Sequence, residues 1–168
     1  MPSPVAIREH AGPRAGLRAL FELADDSPRE LDGYIDAGRV LVAYDGDRVV
    51  GHLQLTDPAD TAAAEIKNMA VDPAFQGRGI GGALVAAAIA SAREDGRATL
   101  VVATATADIG NLRFYQRVGF RMRAIERDAF TPATGYPPDL EADGIPVRDR
   151  VWLDLPLPRA DPEPEEPR

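Results

Sequence analysis

A glycine-rich segment, residues 76–82, constrains the fold of this chain more than any other feature. It reads QGRGIGG, and it lies between an apolar run that ends at Asp72-Pro73 and an alanine-rich run over 83–90. Glycine adopts backbone conformations that other residues avoid, so the segment predicts a tight turn from a strand into a helix. The free N–H groups at the start of a helix favour an anion. We therefore expect a turn that binds phosphate.

The composition narrows the class of protein. At 168 residues with a net charge of −8, the chain predicts one domain over 1–157, followed by a disordered tail over 158–168 that is rich in proline and acid. The negative charge argues against a nucleic-acid partner. The absence of cysteine excludes disulfides, thiol nucleophiles and zinc–thiolate sites, and we expect no metal. The sequence shows neither a signal peptide nor an apolar run of membrane-spanning length, so we expect a cytoplasmic protein with no membrane partner.

Periodicity and turn residues predict an alternation of strands and helices. Strands are expected over 5–8, 39–44, 48–56, 61–71, 98–103, 120–127 and 150–157. Helices are expected over 12–24, from an N-cap at Ser27, before Pro28, to about residue 37, over 79–93 and over 111–118, with Gly119 as the C-cap of the last. Three of the strands are consecutive and antiparallel, and they precede the glycine-rich turn. A segment rich in Pro, Gly and acids, 130–147, is expected to be a functional loop.

The glycine-rich turn has more than one reading. It satisfies G-x-G-x-x-G, the dinucleotide fingerprint, but that motif needs an acidic residue at the end of the next strand, about 20 residues on. Here the next strand is followed by no acid until Asp108. A P-loop is excluded because no Gly-Lys-Ser/Thr occurs. A dinucleotide enzyme and a plain structural turn remain as alternatives.

A resemblance to a known family favours another reading. Gln76-x-x-Gly79-x-Gly81 resembles the acyl-CoA pyrophosphate loop of the GNAT family, the Gcn5-related N-acetyltransferases. Residues 65–73 look like the fourth strand of that family, and 111–120, with its Tyr-x-x-x-Gly-Phe ending, looks like the next signature. The likeness spans about 39–127. It implies an α/β (α+β) fold, with a mixed, mostly antiparallel sheet of about seven strands flanked by about four helices.

The same resemblance implies acetyl-CoA as co-substrate and a set of residues that hold it. The glycine-rich turn would surround the pyrophosphate, the backbone of the fourth strand would pair with the pantetheine arm, and a bulge near 68–69 would open the slot. Asn111 would contact the cofactor from the other wall, although asparagine is also a favoured helix N-cap. The implied cofactor-binding residues are Met69, Ala70, Val71, Gln76, Gly77, Arg78, Gly79, Ile80, Gly81, Gly82 and Asn111.

Two residues are the candidate catalytic groups. Tyr115 could protonate the departing CoA sulfur, although a tyrosine beside Phe114 is also a typical core residue. Glu65 matches the position of a catalytic glutamate in some members and could deprotonate the amine through a water; the alternative is a solvated glutamate on a strand face. His52 is a further titratable candidate, for which a structural role is the commoner reading. His10 has no indicated role.

The resemblance also implies an acyltransferase that acts on a primary amine of a small molecule or peptide. Because the chain has no cysteine for an acyl-enzyme, we expect direct transfer in a ternary complex. The acceptor pocket is expected from Phe21, Tyr34 and 130–143, where Asp139, Glu141 and Asp143 could attract a cationic amine. A homodimer is a candidate assembly. The alternative is a non-catalytic acyl-CoA-binding regulatory module.

Overall fold

A seven-stranded sheet forms the centre of the computed structural model, which describes residues 4–59 and 61–159. Most of the predicted tail, from residue 160 onward, lies outside the described residues. The strands of this sheet follow the order β1-β2-β3-β4-β5-β9-β6. They are β1 (Ala6–Glu9), β2 (Arg39–Asp45), β3 (Arg48–Thr56), β4 (Ala63–Val71), β5 (Thr99–Ala105), β6 (Arg121–Glu126) and β9 (Arg150–Pro156). A separate small hairpin consists of β7 (Glu141–Ala142) and β8 (Ile145–Pro146).

Four helices accompany the sheet: α1 (Arg18–Ala24), α2 (Pro28–Tyr34), α3 (Ile80–Glu94) and α4 (Ile109–Val118). Short 3₁₀ turns lie at Ala15–Leu17, Pro73–Phe75 and Pro132–Thr134. All neighbouring strands are antiparallel except β4 and β5, which are parallel. The predicted mixed, mostly antiparallel sheet of seven strands with four helices is therefore confirmed.

The core lies on both faces of the sheet. The alternation of side chains along a strand is clearest in β2, where Val40 and Val42 join the cluster under α1 and α2 while Ala43 joins the cluster under α3 and α4. Ser27 caps α2 by accepting a hydrogen bond from the N–H of Glu30. This cap was predicted from the Ser-Pro pair, but α2 ends earlier than expected, at Tyr34.

Two irregularities in β4 position the site. The register with β3 passes from the pair Gln54 and Asn68 to the pair Leu55 and Ile66, so that Lys67 is the extra residue of a bulge. The bulge thus lies one residue before the predicted position. The parallel pairing with β5 stops at Ile66 and Val102 although both strands continue. Beyond this point the two strands diverge, and a slot opens between them.

None of the helices within residues 4–59 and 61–159 combines the length and the apolarity that a membrane span requires.

Candidate functional site

A groove of about 930 Å³ occupies the slot between β4 and β5. Its walls come from β4, the glycine-rich turn, the start of α4, the α1–α2 connection and the segment before β9. All but one of the residues predicted as catalytic or cofactor-binding line it. They are Glu65, Met69, Ala70, Val71, Gln76, Gly77, Gly79, Ile80, Gly81, Gly82, Asn111 and Tyr115. Arg78 is the exception, and its guanidinium lies over the ring of Phe75, 4.8 Å from the centroid.

The glycine-rich turn has the conformation expected of an anion site. Gly79 is left-handed, with φ of 78°, and a Cβ placed there would meet nothing within 4 Å, so the backbone faces open space. The N–H of Ala83 bonds to the carbonyl of Gly79 at 3.0 Å. Residues 80–82 are therefore the first turn of α3, where N–H groups have no acceptor within the helix. Such a helix start suits a phosphate.

Two contacts hold the turn in place. The side-chain amide of Gln76 donates to the carbonyl of Val71 at 3.2 Å, which ties the turn to the end of β4. A Cβ at Gly81 would lie 3.4 Å from the ring of Phe114. Gly81 thus lets the start of α3 pack closely against α4, and both helices meet at the groove.

Asn111 lies inside α4 and is not its N-cap. The cap is Asp108, whose carboxylate accepts from the N–H of Asn111 at 2.9 Å. The side-chain amide of Asn111 donates instead to the hydroxyl of Thr104 at 3.3 Å. Asn111 therefore connects α4 to the β5 wall and lines the groove on the side opposite β4.

Tyr115 is nearly buried, yet it lines the groove. Its ring packs edge-on against Phe114 and Phe120, with centroids 5.0 and 5.5 Å away. Burial raises the pKa of its phenol well above the ordinary value, and the nearby Asp108 raises it further. The phenol thus stays protonated at neutral pH, so that it can donate a proton or a hydrogen bond. Core packing and exposure to the groove coexist at this residue.

Glu65 projects from β4 into the same groove. Its carboxylate is largely buried, and this desolvation raises its pKa, while the positive charges of Lys67 and Arg150 act in the opposite direction. The ammonium of Lys67 lies 3.8 Å from the Glu65 carboxylate. A carboxylate with a raised pKa is a better proton acceptor than an ordinary one at neutral pH.

Asp25 joins two tyrosines from different parts of the chain, an arrangement that the sequence did not reveal. The hydroxyl of Tyr34 donates to one of its carboxylate oxygens at 2.6 Å, and that of Tyr136 lies 3.4 Å from the other. Burial and the neighbouring carboxylate raise the pKa of Tyr136 to about 12. The segment 130–147 is thereby held against the α1–α2 connection. In the sequence, Asp25 indicated only a break between helices.

Carboxylates outnumber cations in the part of the groove around Asp25. Those that line it here are Asp25, Asp26, Glu30, Glu65 and Glu141. Burial, together with the charge of Asp25, raises the pKa of Asp26. Three acids of the 130–143 segment were predicted to attract the acceptor. Only Glu141 lines the groove, whereas Asp139 and Asp143 do not. Asp143 lies in the turn between β7 and β8.

Phe21 and His52 are core residues and do not line the groove. Their rings stack with centroids 4.2 Å apart, and both side chains are fully buried. Burial lowers the pKa of His52 to about 4, although its bond to Asn68 opposes the shift. His52 is therefore a neutral structural residue, and the expectation that Phe21 belongs to the acceptor pocket is wrong. Tyr34 and Phe130, predicted with it, do line the groove.

Comparison with known proteins identifies the family. The model of the Acetyltransferase (GNAT) family matches residues 8–120. The uncharacterised N-acetyltransferase YvbK of Bacillus subtilis (strain 168) is 36% identical over 138 residues, 81% of this chain and 87% of that protein. A GNAT acetyltransferase from Elizabethkingia anophelis, solved with acetyl-CoA bound, superimposes with a TM-score of 0.83 at 32% identity, covering 91% of this chain and 98% of that one.

A Bacillus subtilis acetyltransferase solved in complex with CoA has the same TM-score, 0.83, at 34% identity, and covers 92% of this chain and 99% of its own. The family model, the relative YvbK and both solved structures point to the same family of acetyltransferases. The chain therefore belongs to the GNAT family of acetyltransferases, and it is an acyltransferase.

Proposed function

We propose that the protein transfers the acetyl group of acetyl-CoA directly to a primary amine of a small molecule or peptide, within a ternary complex. One observation carries the proposal: the groove between β4 and β5 is lined both by the open N-terminal turn of α3 and by the protonated Tyr115. An anion site and a proton donor thus share one cavity. Residues 1–157 would form a single N-acetyltransferase domain, followed by the short tail.

The glycine-rich turn would hold the pyrophosphate of acetyl-CoA. The N–H groups at the start of α3 and the open space at Gly79 fit an anion that approaches the backbone closely. The backbone of Met69, Ala70 and Val71 faces the slot beyond the end of the β4–β5 pairing. It would therefore form hydrogen bonds with the pantetheine arm, as it would with an added strand. Asn111 would contact it from the β5 side.

Glu65 and Tyr115 would move the two protons of the reaction. An ammonium must lose a proton before its nitrogen can attack the thioester that bound acetyl-CoA supplies, and Glu65 would accept that proton through a water. Tyr115 would donate its phenolic proton or a hydrogen bond to the departing sulfur. Each such proton transfer contributes a factor of about 10²–10⁴ in rate.

The acceptor is proposed to be cationic. The five carboxylates described above lie on walls that the α1–α2 connection, α2, β4 and the 130–147 segment contribute. Their combined negative charge attracts an ammonium and raises its local concentration. Tyr34 and Phe130, which are half-buried, also line the groove and add aromatic surface beside these charges.

Thermal unfolding with a panel of nucleotides tests the proposal. At about 100 times its Kd, acetyl-CoA should stabilise the fold by about 2.7 kcal/mol, which raises Tm by about 5–10 °C for a domain of this size. NAD and NADP should give no shift. A shift with NAD or NADP alone would favour the dinucleotide reading of the glycine-rich turn and contradict acetyl-CoA binding.

A screen of amine acceptors with detection of free thiol separates the enzyme from a binding module. An enzyme releases CoA faster when its acceptor is present, whereas a regulatory module that only binds acyl-CoA gives a thermal shift and no release with any amine. Polycationic primary amines should be the best substrates. Amines that also bear a carboxylate should be the poorest, because the carboxylates in the groove repel them.

A further inference from the structure

Lys67 is the only lysine in the 168-residue sequence. The other basic side chains are arginines and two histidines, so the chain contains one side chain with a primary amine. That amine belongs to the extra residue of the bulge in β4, at the point where the strand separates from β5. It thus lies two residues before the segment 69–71 that would pair with acetyl-CoA.

The surroundings of Lys67 are those proposed for an acceptor amine. The residue lines the groove together with Glu65 and Tyr115. Its ammonium is 3.8 Å from the carboxylate of Glu65 and 5.0 Å from the centroid of the Tyr34 ring. The distance to Glu65 is too long for a hydrogen bond, but a small rotation of the Lys67 side chain shortens it. The side chain retains 36% of its accessible surface, so it is free to change rotamer.

We propose that Lys67 is a self-acetylation site, at which the enzyme transfers the acetyl group of its own acetyl-CoA to the Lys67 amine. This inference rests on the proposed function. The Lys67 ammonium passes a proton to Glu65, and the neutral nitrogen attacks the thioester carbonyl carbon. A C–N bond forms and the C–S bond breaks. The departing sulfur takes the proton of Tyr115, and the second proton that the nitrogen loses restores the phenol. Acetyl-lysine and CoA are the products, and no other reactant is consumed.

Self-acetylation would change the acceptor part of the groove. The amide that forms is neutral, so it removes the cation that now faces Glu65 and Tyr34. It also places an acetyl group in the volume that an incoming amine needs. The modified enzyme would therefore bind acceptors less well while its glycine-rich turn stays unchanged, and acetyl-CoA in the absence of acceptor would slow the enzyme.

Mass spectrometry of the full chain tests the site. The purified protein is incubated with acetyl-CoA and no acceptor, then measured intact and after proteolysis. We expect one added acetyl group, on the peptide that contains Lys67, and none on that peptide in Lys67→Arg. The rate per molecule should not depend on protein concentration, because the transfer occurs within one chain. A free peptide of residues 63–71, incubated with acetyl-CoA in a separate tube without the enzyme, measures uncatalysed acetylation.

Two further variants separate catalysis from chemical reactivity. Glu65→Gln and Tyr115→Phe should each slow the acetylation of Lys67 by at least about tenfold, with the acetyl-CoA thermal shift retained as evidence of folding. Acetylation at the rate of the free peptide, or unchanged in both variants, overturns the proposal. So does an unmodified Lys67 in protein that binds acetyl-CoA, a result that leaves the proposed amine acetyltransferase intact. Absence of acetyl-CoA binding overturns both.

Discussion

Tyr115 combines two properties that are usually found apart. Its ring is packed in the core between Phe114 and Phe120, and its side chain also borders the groove. The core packing fixes the ring, and the burial keeps the phenol protonated. A proton donor that is rigidly placed loses little conformational freedom when substrate binds. Glu65 has the complementary property, since its burial makes it a stronger base.

Replacement of Tyr115 by phenylalanine tests its role as proton donor. Tyr115→Phe keeps the packing and removes the hydroxyl, so we expect kcat to fall by about 10²-fold while the Kd of acetyl-CoA stays within about twofold of the wild type. Steady-state kinetics with thiol detection and calorimetry measure the two quantities. Tyr44→Phe is the matched control, because Tyr44 packs in the α1–α2 cluster away from the groove. Equal kcat values in the two variants would contradict the assignment.

At the scale of elements, the two ends of α3 resemble each other in backbone but differ in surroundings. Gly79, at the N-terminal end, and Gly96, after the C-terminal end, are both left-handed, with φ of 78° and 71°, and a Cβ at either would meet nothing within 4 Å. Gly79 lines the groove, whereas Gly96 does not. The same substitution at both positions therefore imposes the same backbone strain but alters the groove in only one case.

This pair allows a controlled test of the glycine-rich turn. In each variant, Gly79→Glu or Gly96→Glu, a non-glycine residue in a left-handed conformation costs about 1–2 kcal/mol of stability. Only Gly79→Glu places a negative charge beside the N–H groups proposed to bind pyrophosphate, so it should abolish acetyl-CoA binding at millimolar concentration. Calorimetry measures the affinity, and urea unfolding measures the shared loss of stability. Unchanged affinity in Gly79→Glu would mean that the turn does not hold the pyrophosphate.

At the scale of the molecule, the features that the sequence predicts are those encoded over short distances. The turn over 76–82, the cap at Ser27 and the left-handed Gly119 that ends α4 follow from local chemistry. The bulge at Lys67 depends on the register between two strands, which no single segment specifies. The joining of Asp25 to Tyr136 links residues 111 positions apart, so neither residue alone indicated it.

The part of the groove that is proposed to bind the acceptor amine was the least predictable from the sequence. The short hairpin of β7 and β8 falls inside a segment that read as a loop, because two-residue strands leave no periodicity to detect. For Asn111 the helix cap was the alternative to a cofactor contact, and Asp108, three residues earlier, takes the cap position. The lone lysine was visible in the sequence, but its significance depends on the groove that surrounds it.

Stability of the whole fold should depend on pH through His52. Its ring is buried against Phe21, its Nε2–H donates to the side-chain oxygen of Asn68 at 2.8 Å, and its Nδ1 has no partner within the described residues. The folded-state pKa is about 4, against 6.5 for a free histidine. Between these values the unfolded chain binds the extra proton and the folded chain does not, so the free energy of unfolding falls as pH decreases through this interval.

Urea unfolding at a series of pH values measures this contribution. The shift from 6.5 to about 4 corresponds to roughly 3 kcal/mol, lost progressively as pH falls from about 6.5 to about 4. The raised pKa values of Asp26 and Glu65 act in the opposite direction, so the difference between variants is the measured quantity. His52→Gln should show a shallower decline than the wild type between pH 6.5 and 4.5, and His10→Gln, which changes a histidine outside the core, is the comparison variant. Equal slopes in wild type and His52→Gln would show that His52 is protonated within the fold.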